Sequence, residues 1–166
     1  LSAMNRRYTA EKYLETVEKL KNAVPDIVLT TDIIVGFPGE TEEDFCETLS
    51  LVETVKFDSV FSFIYSKRPG TPASEMEDFA SDEEKTDRMS RLLSLHRENI
   101  TEINSSYVGK TVRVLCEQDK DEKGLYTGRT SGFKLVKFES KENVLGKYVN
   151  VKIEAFGEPL LKGKAQ

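Results

Sequence analysis

Two hydrophobic rhythms alternate along the first hundred residues. Tyr13, Val17 and Leu20 stand four and three positions apart behind Thr9, and Pro25 closes the stretch. This spacing predicts a helix capped by the Thr9 hydroxyl. Residues 27–35 (IVLTTDIIV) are rich in β-branched side chains and predict a buried strand, broken by Gly36-Phe37-Pro38-Gly39. Thr41-Glu42-Glu43-Asp44 has the form of a capping box with acids in the first turn, and Phe45, Leu49 and Val52 carry that helix to about Lys56. Residues 59–65 (SVFSFIY) form a second apolar strand, and Lys67 to Pro72 a loop. Ser81-Asp82-Glu83-Glu84 is a further capping box. It opens a long helix through about Ser105, with Met89, Leu92, Leu93, His96 and Ile100 inward or partly inward.

Helix, strand, helix, strand, helix with short connections implies parallel strands joined by right-handed crossovers. Two such strands do not make a self-sufficient sheet, and their continuous apolar runs call for cover on both faces. The fold class expected is therefore α/β: the C-terminal portion of a parallel, TIM-like barrel whose earlier strands are absent. In such barrels chemistry sits at the C-terminal strand ends, which here carry Gly36–Glu40 and Ser66–Thr71.

From Tyr107 the rhythm changes to period two. Short strands are expected at 111–117, 125–130, 134–139, 147–155 and 159–164, separated by turn residues at 119–124, 131–132 and 143–146. Five antiparallel strands of this length predict a small OB-like barrel. Cys116 falls in phase with Val112 and Val114 and is expected in its core. The domain boundaries that follow are 1–106 and 107–166.

Charge sharpens this division. Residues 1–106 hold 12 Lys and Arg against 21 Asp and Glu, a net of −9, whereas residues 107–166 hold 12 against 8, a net of +4. The acidic part is a poor match for a phosphate backbone, and the basic part is compatible with one. Cys46, Cys116 and a single His96 leave a disulfide framework, a zinc finger, a self-contained iron–sulfur site and a Ser–His–Asp set unexpected, so no metal ligand and no catalytic residue is assigned within this chain. No apolar run approaches ~18 residues, and the chain opens Leu1-Ser2-Ala3 without a basic, apolar leader. The expectation is a cytoplasmic protein with no membrane partner, and a fragment of a longer chain.

Candidate chemistry lies in two places. Gly36 and Gly39 permit a sharp turn and close approach of a ligand to the backbone, stiffened by Pro38; a bare strand-to-helix turn needs the same residues. Glu40 either bonds a ligand ribose or amine or complements the helix dipole, and Arg68 either grips a carboxylate or phosphate or stands solvated in its loop. In the basic part, Arg129, Lys134 and Lys137 lie near Tyr126 and Phe133. Cations there would hold phosphates and exposed aromatics would stack unpaired bases, unless the two rings serve the barrel core.

Several motifs together resemble one family. Residues 32–41 (DIIVGFPGET) resemble the late-barrel motif of radical SAM enzymes, and residues 64–73 (IYSKRPGTPA) the following strand and loop of methylthiotransferases. Met4 to Thr9 also fits. Tyr107-Val108-Gly109-Lys110, Gly128-Arg129-Thr130 with Lys134-Leu135-Val136, and Gly146 to Val151 resemble a TRAM domain. The resemblance spans essentially the whole chain and points to the C-terminal part of a MiaB-type tRNA methylthiotransferase. It implies a parent enzyme that adds a 2-methylthio group to N6-isopentenyl-adenosine beside the anticodon, using S-adenosylmethionine and two [4Fe–4S] clusters. It further implies that Gly36, Pro38, Gly39, Glu40 and Arg68 border S-adenosylmethionine, and that Arg129, Phe133, Lys134 and Lys137 meet the tRNA anticodon stem-loop. The cluster-binding Cys-x3-Cys-x2-Cys motif is not in these residues, so this chain alone is expected to be inactive without the N-terminal part of the same protein. The alternatives are a sister methylthiotransferase, acting on threonylcarbamoyl-adenosine in tRNA or on a ribosomal protein, and a non-catalytic RNA-binding module. The +4 charge argues against the ribosomal-protein branch.

Overall fold

A computed structural model describes residues 1–78, 80–157 and 160–166. The chain divides into two compact units, Leu1–Asn99 and Ile100–Gln166.

Local signals set the helices of the first unit. Helix α1 (Ala10–Ala23) begins where the Thr9 hydroxyl accepts from the Lys12 N–H, 3.3 Å away. Helix α2 (Glu42–Val55) has a complete capping box: the Asp44 N–H donates to Thr41 Oγ1 at 3.1 Å, and the Thr41 N–H to Asp44 Oδ2 at 2.8 Å. It stops at Lys56, whose left-handed backbone (φ 54°) turns the chain out. Helix α3 (Asp82–Ser105) starts with the same reciprocal pair between Ser81 and Glu84.

Strands β1 (Thr30–Val35) and β2 (Ser59–Ile64) pair in parallel, from Thr30 opposite Ser59 to Val35 opposite Ile64. This is the expected pairing, with a ladder that begins at Thr30 rather than Ile27. Val17, Val35, Phe45, Val52, Val55, Phe57 and Leu92 form the core, with Ile33 and Val60 packed against it. The Asn99 side-chain amide donates to the Val52 carbonyl at 3.1 Å and ties α3 to α2.

Among the described residues only one face of the sheet is covered, although its apolar runs call for cover on both. Asp32, Ile34, Phe61 and Phe63 share the other face by register, and the two phenylalanines are 55% and 56% exposed. Leu20 and Leu93, placed on inward stripes by spacing, are exposed as well. Helical spacing defines a stripe but not its width, and two strands are too narrow a platform to cover all of it.

The second unit is a closed barrel of β3 (Thr111–Gln118), β4 (Tyr126–Thr130), β5 (Leu135–Glu139), β6 (Tyr148–Phe156) and β7 (Leu161–Ala165), in the order β3-β4-β5-β7-β6. Pro159, expected in the last strand, lies outside the described residues. One pairing corrects the all-antiparallel expectation: β7 inserts between β5 and β6 and runs parallel to β5. Alternation reveals which residues point inward but carries no information on strand direction. Val114, Cys116, Tyr126, Val136, Phe138, Val144, Val151, Ile153 and Leu161 fill the interior. Gly128 and Gly163 make the tight crossings possible: a Cβ at either would run into the Leu115 or Lys152 carbonyl.

Candidate functional site

The parallel ladder sets Gly36 and Ser66 on one rim, just past Val35 and Ile64. Gly36 and Gly39 take φ values of +71° and +86°, which side-chain-bearing residues adopt only under strain. The two glycines differ in surroundings. A Cβ on Gly36 would lie 2.5 Å from Lys85 Cγ, so that space belongs to the Lys85 stem, whereas nothing lies within 4 Å of a Cβ on Gly39. Pro38 is buried between them and Gly39 is exposed. Of the two glycines, Gly39 is therefore the one that leaves its backbone open to a ligand.

Glu40 is engaged internally. Its Oε2 accepts from the Gly36 N–H at 2.7 Å and from Arg88 Nη1 at 3.0 Å, while Arg88 also donates to the Glu40 carbonyl at 3.1 Å. Arg88 is buried and reaches Glu42 through Nε at 3.3 Å; Arg91 meets Glu42 Oε1 at 2.7 Å. The hydrogen bond from Arg91 lowers the Glu42 pKa below the usual carboxylate range, and the Thr41 bonds lower that of Asp44. Lys85, also buried, donates to Asp78 Oδ2 at 2.5 Å. Two cations of α3 thus clamp the turn after β1. Neither was singled out by sequence reading. Lys85 and Arg88, one turn apart amid acids, were the available signal.

Across the rim, the Tyr65 N–H donates to the Val35 carbonyl at 2.9 Å, and the Tyr65 ring meets Phe37 edge-on at 5.3 Å. The Tyr65 hydroxyl is buried with no hydrogen-bond partner among the described residues. Such an orphan is compatible with a polar ligand atom at this rim. Arg68 is exposed; its carbonyl accepts from Thr71 Oγ1 at 2.8 Å, which shapes the loop and leaves the guanidinium in solvent. A depression of about 200 Å³ lies beside the turn, lined by Gly39, Glu40, Thr41, Ala80, Glu84 and Arg88.

The β4–β5 hairpin gathers the basic candidates with unequal freedom. Phe133 is 81% exposed and sits at φ +62°. Arg129 is outward on β4 and ion-paired with Glu117. Lys137 pairs with Asp121 at 2.9 Å, and its hydrogen bond lowers the Asp121 pKa to about 2. Lys134, expected as a solvent-facing cation, is only 8% exposed, with Nζ 6.0 Å from the centre of the Tyr107 ring. Tyr126 resolves to the core, stacked on Phe138 at 5.9 Å.

The two cysteines sit apart from each other in use. Cys46 is exposed on α2, within 3.8 Å of Arg91 and 3.6 Å of Glu42. Cys116 is in the barrel core, where burial raises its thiol pKa. With one thiol in each unit and no group of three or more His, Cys, Asp or Glu suited to a metal ion among the described residues, the side chains present do not fit an iron–sulfur cluster.

The Radical SAM superfamily profile matches residues 1–52 and the TRAM domain profile residues 105–165. Over 164 residues, 98% of this chain, the sequence is 50% identical to the tRNA-2-methylthio-N(6)-dimethylallyladenosine synthase of Acetivibrio thermocellus, of which it covers 34%. Identity is 51% over 154 residues with the protein of the same name from Alkaliphilus oremlandii (92% of this chain, 33% of the relative). It is 49% over 164 residues with that from Geotalea uraniireducens (99% and 37%). The chain thus spans about a third of the length of the curated relatives it matches. Both profiles fall in order along the chain, and half its residues are shared with synthases of this name along nearly its full length.

Proposed function

We propose that this chain is the C-terminal part of a radical SAM methylthiotransferase that adds a 2-methylthio group to N6-isopentenyl-adenosine beside the anticodon of tRNA, in the cytoplasm. The observation that carries the reading is the 50% identity to synthases of that name, sustained over 98% of the chain. S-adenosylmethionine and two [4Fe–4S] clusters would supply the radical and sulfur-transfer chemistry, the clusters being held by the N-terminal remainder of the protein.

Residues 1–106 contribute the last strands of the barrel and one stretch of its rim. Gly39 offers open backbone at the S-adenosylmethionine side, supported by Gly36 and Pro38. Glu40 acts by holding the turn through Gly36 and Arg88. At the neighbouring strand end Arg68 is the exposed cation a ligand would meet, and the buried Tyr65 hydroxyl is the polar group still without a partner among the described residues. Residues 107–166 form the TRAM domain and hold the anticodon stem-loop. Phe133 stacks on an unpaired base, Arg129 and Lys137 exchange their carboxylates for phosphates, and Lys134 braces the hairpin from within.

The test is expression of the full-length protein in a bacterium lacking its own synthase, followed by mass spectrometry of tRNA nucleosides. The 2-methylthio derivative of N6-isopentenyl-adenosine is expected. A nucleoside profile left unmodified sinks the proposal, and methylthiolation of threonylcarbamoyl-adenosine instead moves the chain to the sister branch.

A further inference from the structure

A second aromatic and cationic surface lies on the barrel, on strands the hairpin does not include. In the β3–β6 ladder Leu115 faces Tyr148, Arg113 faces Asn150 and Thr111 faces Lys152. These side chains alternate with Val112, Val114, Val149 and Val151, which turn toward the core, so they form one outward strip. The ladder extends it on both sides: Arg129 stands opposite Leu115, and Lys164 opposite Lys152. Glu117 neutralises Arg129, and Glu154 lies 3.5 Å from Lys164. Arg113 and Lys152 have no carboxylate partner among the described residues, which leaves the middle of the strip positive.

At that middle the Arg113 guanidinium lies 4.3 Å from the centre of the Tyr148 ring, and Tyr148 is 60% exposed. The two side chains hold each other in place, so little rotamer freedom remains to be lost when a third planar group stacks on them. Guanidinium and phenol planes both stack nucleobases, and the base must be unpaired to present its face. An acidic protein surface would use the charge of the strip but not the exposed aromatic plane.

We propose that Arg113 and Tyr148 form a stacking platform for an unpaired RNA base, with Lys152 taking a neighbouring phosphate: a second RNA contact of the TRAM domain beside the hairpin. The proposal rests on the RNA-binding reading given above.

The test uses the whole chain and two fluorescein-labelled probes, an RNA stem-loop and a fully paired RNA duplex, titrated by anisotropy at several salt concentrations. Tyr148→Ser should weaken stem-loop binding about five- to tenfold with an unchanged salt slope, and should leave duplex binding alone. Tyr148→Phe should bind within about twofold of the parent, because the stacking plane is kept. Lys152→Ala should lower the salt slope by about one. Arg113→Gln gives a second variant, and matched melting curves establish that each is folded. If Tyr148→Ser and Arg113→Gln bind as the parent does while Phe133→Ser weakens binding, the platform is refuted and the hairpin reading stands. If the parent chain binds neither probe, the RNA reading falls and takes this proposal with it. If Tyr148→Ser instead turns a dimer into a monomer in sedimentation without altering RNA affinity, the face belongs to self-association.

Discussion

The β1–β2 sheet and the β3–β7 barrel use strands of similar length to opposite effect. In the barrel β3, β5 and β6 divide their side chains: Val114, Val136, Val151 and Ile153 go in, and Arg113, Lys137, Asn150 and Lys152 go out. Closure leaves no strand edge, and the polar row is the outer surface. The two-stranded sheet is apolar on both faces. α-Helical residues cover Ile33 and Val60, whereas Ile34, Phe61 and Phe63 remain exposed. A binary pattern therefore carries architectural information of two kinds. Alternation describes a unit that completes itself, and an unbroken apolar run describes one layer of something larger.

The comparison breaks most visibly on a pair of phenylalanines. Phe138 is fully buried in the barrel, and replacing it with Ala should cost about 3–5 kcal/mol. Phe63 lies on the bare sheet face, and Phe63→Ser should change stability by less than about 0.5 kcal/mol. Urea unfolding followed by residue-resolved hydrogen exchange assigns each loss to its unit. Equal losses would mean that Phe63 is covered in solution.

A smaller effect tests how the first unit holds the turn after β1. Arg88→Ala removes a buried guanidinium from the half-buried Glu40 carboxylate and should cost about 3 kcal/mol. Glu40→Gln should rescue part of that loss in the double variant, since the amide oxygen still accepts from Gly36. Additive losses in thermal melts would show that the clamp does not act as a unit.

The smallest effect is a pH dependence of the barrel. Asp121 accepts from Lys137 and from the Leu125 and Lys123 N–H groups, and its pKa falls from 3.8 to about 2 on folding. A lowered folded-state pKa stabilises the protein fully above the unfolded value, and the contribution disappears as pH falls from about 4 through about 2. Asp121→Asn should flatten the barrel's acid-unfolding limb in that window and leave neutral stability nearly constant relative to its own acid limit. An unaltered limb would show that the Lys137 pairing does not persist in solution.

What was legible in the sequence is what local chemistry controls. Thr9, Thr41 and Ser81 announce three helix starts because a cap forms within four residues. The strand–helix–strand spacing implies the β1–β2 direction because a short crossover has few routes. Burial of Lys134 and the clamp by Lys85 and Arg88 were not legible, since both depend on partners brought together by the fold. Arg88 lies 48 residues from Glu40. The parallel insertion of β7 was hidden for the same reason. The sequence named the candidate site only as a set of positions, and the structure separated Gly39, Arg68 and Phe133, which are exposed, from Glu40 and Lys134, which are engaged within the fold.

Phe133 shows that folding and recognition can ask for different residues at one position. A left-handed backbone costs a side-chain-bearing residue about 1–2 kcal/mol, and an aromatic ring left in water recovers none of it. Glycine would relieve the strain and keep the Thr130–Lys134 bonds that close the hairpin. Selection for heat resistance alone would therefore drive this position toward glycine. On the proposed reading, the base that the Phe133 ring would stack on is what offsets that strain.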